Sequence, residues 1–164
     1  GRNIFRGNII DDEHTANCPG ICKMREENPL VIVNGNLLDA MECDGEIFVP
    51  DEVLSICPSA FSELDLNARP TSVRLPEGLK KIPDYLFMGL FDMVNVTIPE
   101  SVTEIGEGAF DHCVSLSSLT LPDGVTSIGK DAFAYFTETC TVTYRGETYP
   151  CERYDELYAL FGVE

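Results

Sequence analysis

Few side chains in this sequence could do chemistry, and most of them are badly spaced for it. There are seven cysteines and two histidines. His14, Cys18 and Cys22 stand four apart, which on a helix would gather three zinc-type ligands on one face. Pro19 and Gly20 interrupt that helix and no fourth ligand stands nearby, so a structural segment is expected and no metal is assigned. His112 falls in the outer part of a turn, and Glu104 and Glu107 read as solvated carboxylates, not as an acid/base couple. No nucleophile elbow, phosphate loop, dinucleotide fingerprint or H-E-x-x-H is present. The expectation is a non-enzyme with no cofactor.

The cysteines divide by place. Seven is an odd number and cannot make a closed disulfide framework. Cys113, between Phe110 and Leu116, reads as a small buried hydrophobe, and Cys57 as another packing residue. One pair has sharper geometry. If Arg145 and Gly146 form a two-residue turn, counting outward sets Cys140 opposite Cys151, a candidate disulfide; a reducing habitat would leave both as thiols.

The elements that position these residues repeat. Pro99 and Pro122, Val102 and Val125, Ile105 and Ile128, Gly106 and Gly129, Ala109 and Ala132, and Phe110 and Phe133 are each 23 apart. One step back reaches Val73, Leu75, Pro76, Leu79, Ile82 and Phe87; a further step of 26 reaches Ile47, Val49, Pro50, Val53, Ile56, Ala60 and Phe61. The three extra residues fall in the loop around Asn67, Ala68, Arg69 and Pro70. Forward, Val142 and Tyr144 supply one more strand, so four copies and a fifth strand are predicted.

Within each copy, apolar residues two apart turn one face of a short strand inward. Proline ends that strand, PDEV, PEGL, PESV and PDGV read as turns, and a second extended piece precedes the glycine. Ala109, Phe110, Cys113 and Leu116 then suit a helical or 3₁₀ turn laid against the strand. No single copy can bury its apolar face, so the copies must stack into a solenoid with phenylalanine in its middle.

The run strand, I/L-P, V, x-x-I-G, x-x-A-F, x-x-C resembles the BspA-type leucine-rich repeats, which are common in surface and secreted proteins of gut and oral bacteria. The match is strongest over residues 95–133; in 71–94, Pro83 replaces the glycine and Leu86 the alanine. Residues 30–49 resemble the hairpin that often precedes the first coil in that family. The resemblance implies a right-handed α/β solenoid and a binding or adhesive role, and it brings no catalytic residues with it.

The expected organisation is a lead or cap over 1–29, then one repeat domain over 30–164. That domain has a hairpin over 30–41 turning at Asn34-Gly35, about four repeats over 45–144, and a cap over 145–164. In the cap, Tyr154, Leu157, Tyr158 and Phe161 make one apolar helical stripe, with Gly162 as its terminator.

Eleven basic against 28 acidic residues give a net charge of -17, which repels phosphate backbones and anionic headgroups. Nucleic acid and membrane insertion are therefore excluded as partners, and no apolar run is long enough for a transmembrane helix. The acids are scattered; solubility accounts for them, with a preference for cationic partners or calcium as the other reading. Gly1 in place of methionine suggests that a leader has been removed.

The rows flanking the inward strand positions are the candidate partner-binding face: Glu46 and Phe48, Ser72 and Arg74, Asn95 and Thr97, Ser118 and Thr120, Thr141 and Thr143. Phe48 and Arg74 alone are of hot-spot type. Asn95-Val96-Thr97 is a glycosylation sequon but reads as strand sequence. The functional expectation is a surface or secreted module engaging a protein or glycan. The alternative is an intracellular interaction scaffold with reduced cysteines.

Overall fold

The computed structural model describes residues 28–40, 43–61 and 70–163; the lead segment with His14, Cys18 and Cys22, and the loop over 62–69, lie outside them. Strands β1 (Val31–Val33) and β2 (Asn36–Asp39) form the expected hairpin. Asn34 and Gly35 have φ of 52° and 77°, the left-handed pair that a two-residue hairpin turn requires. Four coils follow, each with two strands: β3 (Gly45–Phe48) and β4 (Ser55–Ile56), β5 (Pro70–Arg74) and β6 (Lys81–Ile82), β7 (Asn95–Thr97) and β8 (Glu104–Ile105), β9 (Ser118–Leu121) and β10 (Ser127–Ile128). Strands β11 (Thr141–Tyr144) and β12 (Glu147–Pro150), a 3₁₀ turn (Cys151–Arg153) and helix α1 (Tyr154–Ala159) close the chain.

The period fixes the register. A step of 23 sets Lys81 beside Glu104 and Ser127 beside Glu104 again from the other side, with Ile82, Ile105 and Ile128 in one inward row. Between the two strands of a coil, the N–H of Val53, Leu79, Val102 or Val125 donates to the carbonyl of Pro50, Pro76, Pro99 or Pro122 at 3.0–3.1 Å. Each proline thus ends a strand and opens a turn as its acceptor. The hairpin extends the stack, because β2 runs parallel to β4 with Leu37 beside Ile56, and the Ala40 N–H donates to the Ala60 carbonyl at 2.7 Å.

Phenylalanine runs through the middle as expected. Phe61, Phe87, Phe110 and Phe133 are at most 2% exposed, with successive ring centroids 5.4, 5.3 and 6.2 Å apart. Offsets of this size are those aromatic pairs favour. One core joins the coils from Leu37 to Leu157.

One expectation needs correction. The segment from Ala109 to Leu116 is not helical: Asp111, Cys113 and Leu116 donate to the carbonyls of Gly108, Phe110 and Cys113, a string of separate turns. Left-handed residues divide it. Tyr85, Gly108 and Asp131, one period apart, have φ of 57°, 55° and 55°; Gly89, His112 and Tyr135 have 77°, 59° and 53°. A helix cannot propagate through such a residue. The architecture is accordingly a β-solenoid of about four turns, whose helical part among the described residues is the six-residue α1 and the 3₁₀ turn.

The C-terminal end follows the sequence closely. Arg145 and Gly146, with φ of 50° and 78°, turn β11 into β12, and Tyr144 faces Glu147. Helix α1 buries Tyr154 and Leu157, with Tyr158 and Phe161 packed partly against the core. Its last carbonyls are closed by Gly162, φ 69°, whose N–H donates to Ala159, and by Val163, whose N–H donates to Tyr158, both at 3.2 Å.

Candidate functional site

The outward strand rows form where expected and lie in register. Glu46, Ser72 and Asn95 are neighbours across β3, β5 and β7, and so are Phe48, Arg74 and Thr97. Parallel pairing with period-2 alternation sends these side chains outward, while Ile47, Val73 and Val96 between them are buried. Phe48 is 62% exposed. The Arg74 guanidinium reaches Glu77 at 3.4 Å and Asp51 at 3.8 Å, so two carboxylates hold the hot-spot cation. Both partners are more than half exposed, and solvent screening keeps these pairs weak. Asn95 donates from Nδ2 to the Ser72 hydroxyl at 3.4 Å.

Ser118 and Thr120 are outward too, but on a second plate. The strand order is β3-β5-β7 in one sheet and β9-β11-β12 in another, so the ladder is interrupted between β7 and β9. On the second plate Ser118 neighbours Thr141 and Thr120 neighbours Thr143, whose hydroxyl lies 3.3 Å from that of Thr148. The face therefore offers hydroxyls and amides at its broad centre, and one aromatic and one cation at the first two coils. Such a surface can hydrogen-bond and stack against a partner.

Cys113, Cys57 and His112 are held in structural contacts. Cys113 is fully buried and its thiol donates to the Phe87 carbonyl at 3.1 Å; burial pushes that thiol up to about 12. The Cys57 sulfur sits 3.2 Å from the Ser59 hydroxyl. His112 Nδ1 lies 2.8 Å from Asp111 Oδ1, and its ring stacks on Tyr135 at 4.3 Å. Cys140 is buried one residue before β11, whose ladder with β12 ends at Thr141 and Pro150, and Cys151 opens the 3₁₀ turn that follows β12; the Cys151 side chain lies outside the described residues. Among the described residues, no group of three His, Cys, Asp or Glu side chains is arranged to hold a metal.

Sequence reasoning missed the apolar residues that the turns put outside. Tyr85, Met88, Phe91 and Tyr135 are 44%, 51%, 58% and 71% exposed. The available signal was positional. These residues stand at turn positions where the neighbouring coils carry Gly108, Asp111, Val114 and His112, yet a phenylalanine or tyrosine in a repeat invites placement in the core.

Residues 39–149 match the model of the BspA type leucine rich repeat region, in six copies. Six full units of 23 would exceed that span, so the count includes partial copies beside the four full coils. Among solved structures, a leucine-rich repeat protein from Bacteroides ovatus is 28% identical with a TM-score of 0.51, over 60% of this chain and 24% of that one. A leucine rich cell surface protein from Faecalibacterium prausnitzii is 24% identical with a TM-score of 0.44, over 65% of this chain and 40% of the other. The chain thus spans well under half the length of either. No curated protein matches it.

Proposed function

We propose, from the premise that this chain belongs to the BspA type leucine-rich repeat family, that it is a non-enzymatic binding module. It presents the outward strand rows to a protein or glycan partner, at the cell surface or in the medium. The observation behind this reading is the register itself, which aligns Phe48, Arg74 and Thr97 into one row and Glu46, Ser72 and Asn95 into another across a parallel strand ladder. A preordered surface loses little entropy when a partner lands on it. Ser118 and Thr120 extend the contact area onto the second plate. The surface or secreted location rests on family membership.

The test is a pull-down against immobilised host matrix proteins and a glycan array, run with the parent chain and with Phe48→Ala/Arg74→Ala. Loss of binding by at least about tenfold in the double variant is expected, since truncated hot spots cost about 2 kcal/mol or more. Binding unchanged in that variant removes this face from the function. A secretion signal encoded upstream favours export, and a start codon directly before Gly1 favours the intracellular scaffold.

A further inference from the structure

A concave feature lies where α1 docks on the turns of the fourth coil. It is a cleft of about 250 Å³ lined, among the described residues, by Asp131, Phe133, Ala134, Tyr135, Phe136, Tyr154 and Tyr158, five of them aromatic. A contiguous groove of about 390 Å³, lined by Lys130, Asp131, Asp155, Tyr158 and Val163, shares Asp131 and Tyr158 with it.

The rings meet at steep angles. Phe136 and Tyr154 are 6.3 Å apart at 82°, and Phe133 and Tyr154 are 6.2 Å apart at 61°. Phe133 and Tyr154, 1% and 9% exposed, form the floor of this corner, and the half-buried Phe136 and Tyr158 form its sides. Two of the rings are pinned by their hydroxyls: the Tyr154 O–H donates to the Cys140 carbonyl at 3.1 Å, and the Tyr158 oxygen accepts from the Phe133 N–H at 2.9 Å. Tyr135 is left 71% exposed at the mouth, one face already stacked on His112.

The local field is negative. Burial pushes the Tyr158 hydroxyl up to about 12, with Asp131, Asp111 and Asp155 adding to the rise and the Phe133 N–H opposing it. Among the described residues that line the pair of clefts, Lys130 is the one cation, against the carboxylates of Asp131 and Asp155. Over the whole chain the net charge is -17. Aromatic walls with a carboxylate at the rim and a surrounding negative potential suit an organic cation, whose charge is attracted to ring faces and whose methyl groups fill an apolar space. A neutral apolar guest would gain from the rings but nothing from the field, and an anion would be repelled.

We propose that the cleft between the fourth-coil turn and α1 binds an alkylammonium group, with Tyr135, Phe136, Tyr154 and Tyr158 as walls and Asp131 as counter-ion. The site uses turn and cap residues, not the strand rows, so it stands or falls apart from the face described above. Choline is the probe, and 3,3-dimethylbutan-1-ol, its uncharged carbon isostere, is the control. With no tryptophan in the chain, tyrosine emission or methyl NMR shifts report binding.

Saturable choline binding is expected, at least about tenfold tighter than the isostere. Asp131→Asn should weaken it by about tenfold without changing the melting temperature, because Asn also tolerates the left-handed backbone there, φ 55°. Tyr135→Ala, at an exposed position, should weaken it similarly. A trimethyllysine peptide and phosphatidylcholine vesicles, as competitors, tell a protein-borne ammonium from a lipid one; competition by either supports the site, and choline binding without them points to a free cation. Equal affinity for choline and its isostere, an unaltered Asp131→Asn variant, no saturation by about 50 mM choline, or preference for methyl glucoside would each overturn the proposal.

Discussion

Single residues in this chain are constrained first by what lies one period away. The coil below Gly129 comes so close that an added Cβ would run into the backbone of Gly106 and Glu107, whereas at Gly124 the nearest atom is the Glu100 carbonyl oxygen at 3.7 Å. Gly129→Ala must therefore push two coils apart and should cost roughly 1–3 kcal/mol, while Gly124→Ala should stay within about 0.5 kcal/mol of the parent in urea denaturation. Equal effects would mean that the coils are not packed at this spacing.

Titration gives a second residue-scale expectation. The folded chain holds the Cys113 thiol and the Tyr158 hydroxyl up at about 12, chiefly by burial, against ordinary values of 9.0 and 10.0. Below pH 9 both groups are protonated in either state and the contribution is fully present. As pH rises from about 9 toward 12 the unfolded chain releases protons that the folded chain keeps, so stability falls. The melting temperature should decline through that window. Tyr158→Phe, though less stable at every pH for leaving the Phe133 N–H without its acceptor, should decline less steeply. Parallel slopes for the two proteins would refute the assignment.

At the scale of elements, what the sequence shows plainly is what neighbours in the chain decide. Strand, proline turn, hairpin and cap helix follow from alternation, from Asn34-Gly35 and Arg145-Gly146, and from the stripe ending at Gly162, all of them local signals. The separate turns after Ala109 were hidden because His112, Asp131 and Tyr135 adopt left-handed backbone without being glycine. Contacts between coils hold them there, such as the His112 N–H donating to Ala134 at 3.1 Å. The aromatic cleft was equally hidden, since its walls come from Tyr135 and Phe136 on one element and Tyr154 and Tyr158 on another, and only docking brings them together. The face of strand rows could be read because one period maps every coil onto the next; its interruption between β7 and β9 could not. The β11–β12 register also leads to a prediction. Cys140 and Cys151, which flank its last pair, should form a disulfide when the chain is made under oxidising conditions, and peptide mass spectrometry should find them linked. Recovery of both as free thiols from oxidised material would count against the bridge and lower the case for an exported, disulfide-permissive life.

For the whole molecule the question is whether the coils are separate units or one. Each coil's phenylalanine touches the next along a single file from Phe61 to Phe133, and Phe133 passes the contact on to Tyr158 at 5.8 Å in the cap. Nearest-neighbour coupling of this kind makes a short solenoid behave as one cooperative body, because no coil keeps its core when the adjacent one opens. Phe110→Ala removes the central ring of that file and should cost about 3–5 kcal/mol. The loss should not stay local. Amide exchange should quicken in the coils carrying Phe87 and Phe133 as well as in the mutated one, while the distant hairpin at Asn34-Gly35 changes less. A variant that melts with the parent, or that loosens only the turn around Phe110, would show that the aromatic file is packing without coupling, and the rigidity assumed for the binding face would then have to come from the strand ladders alone.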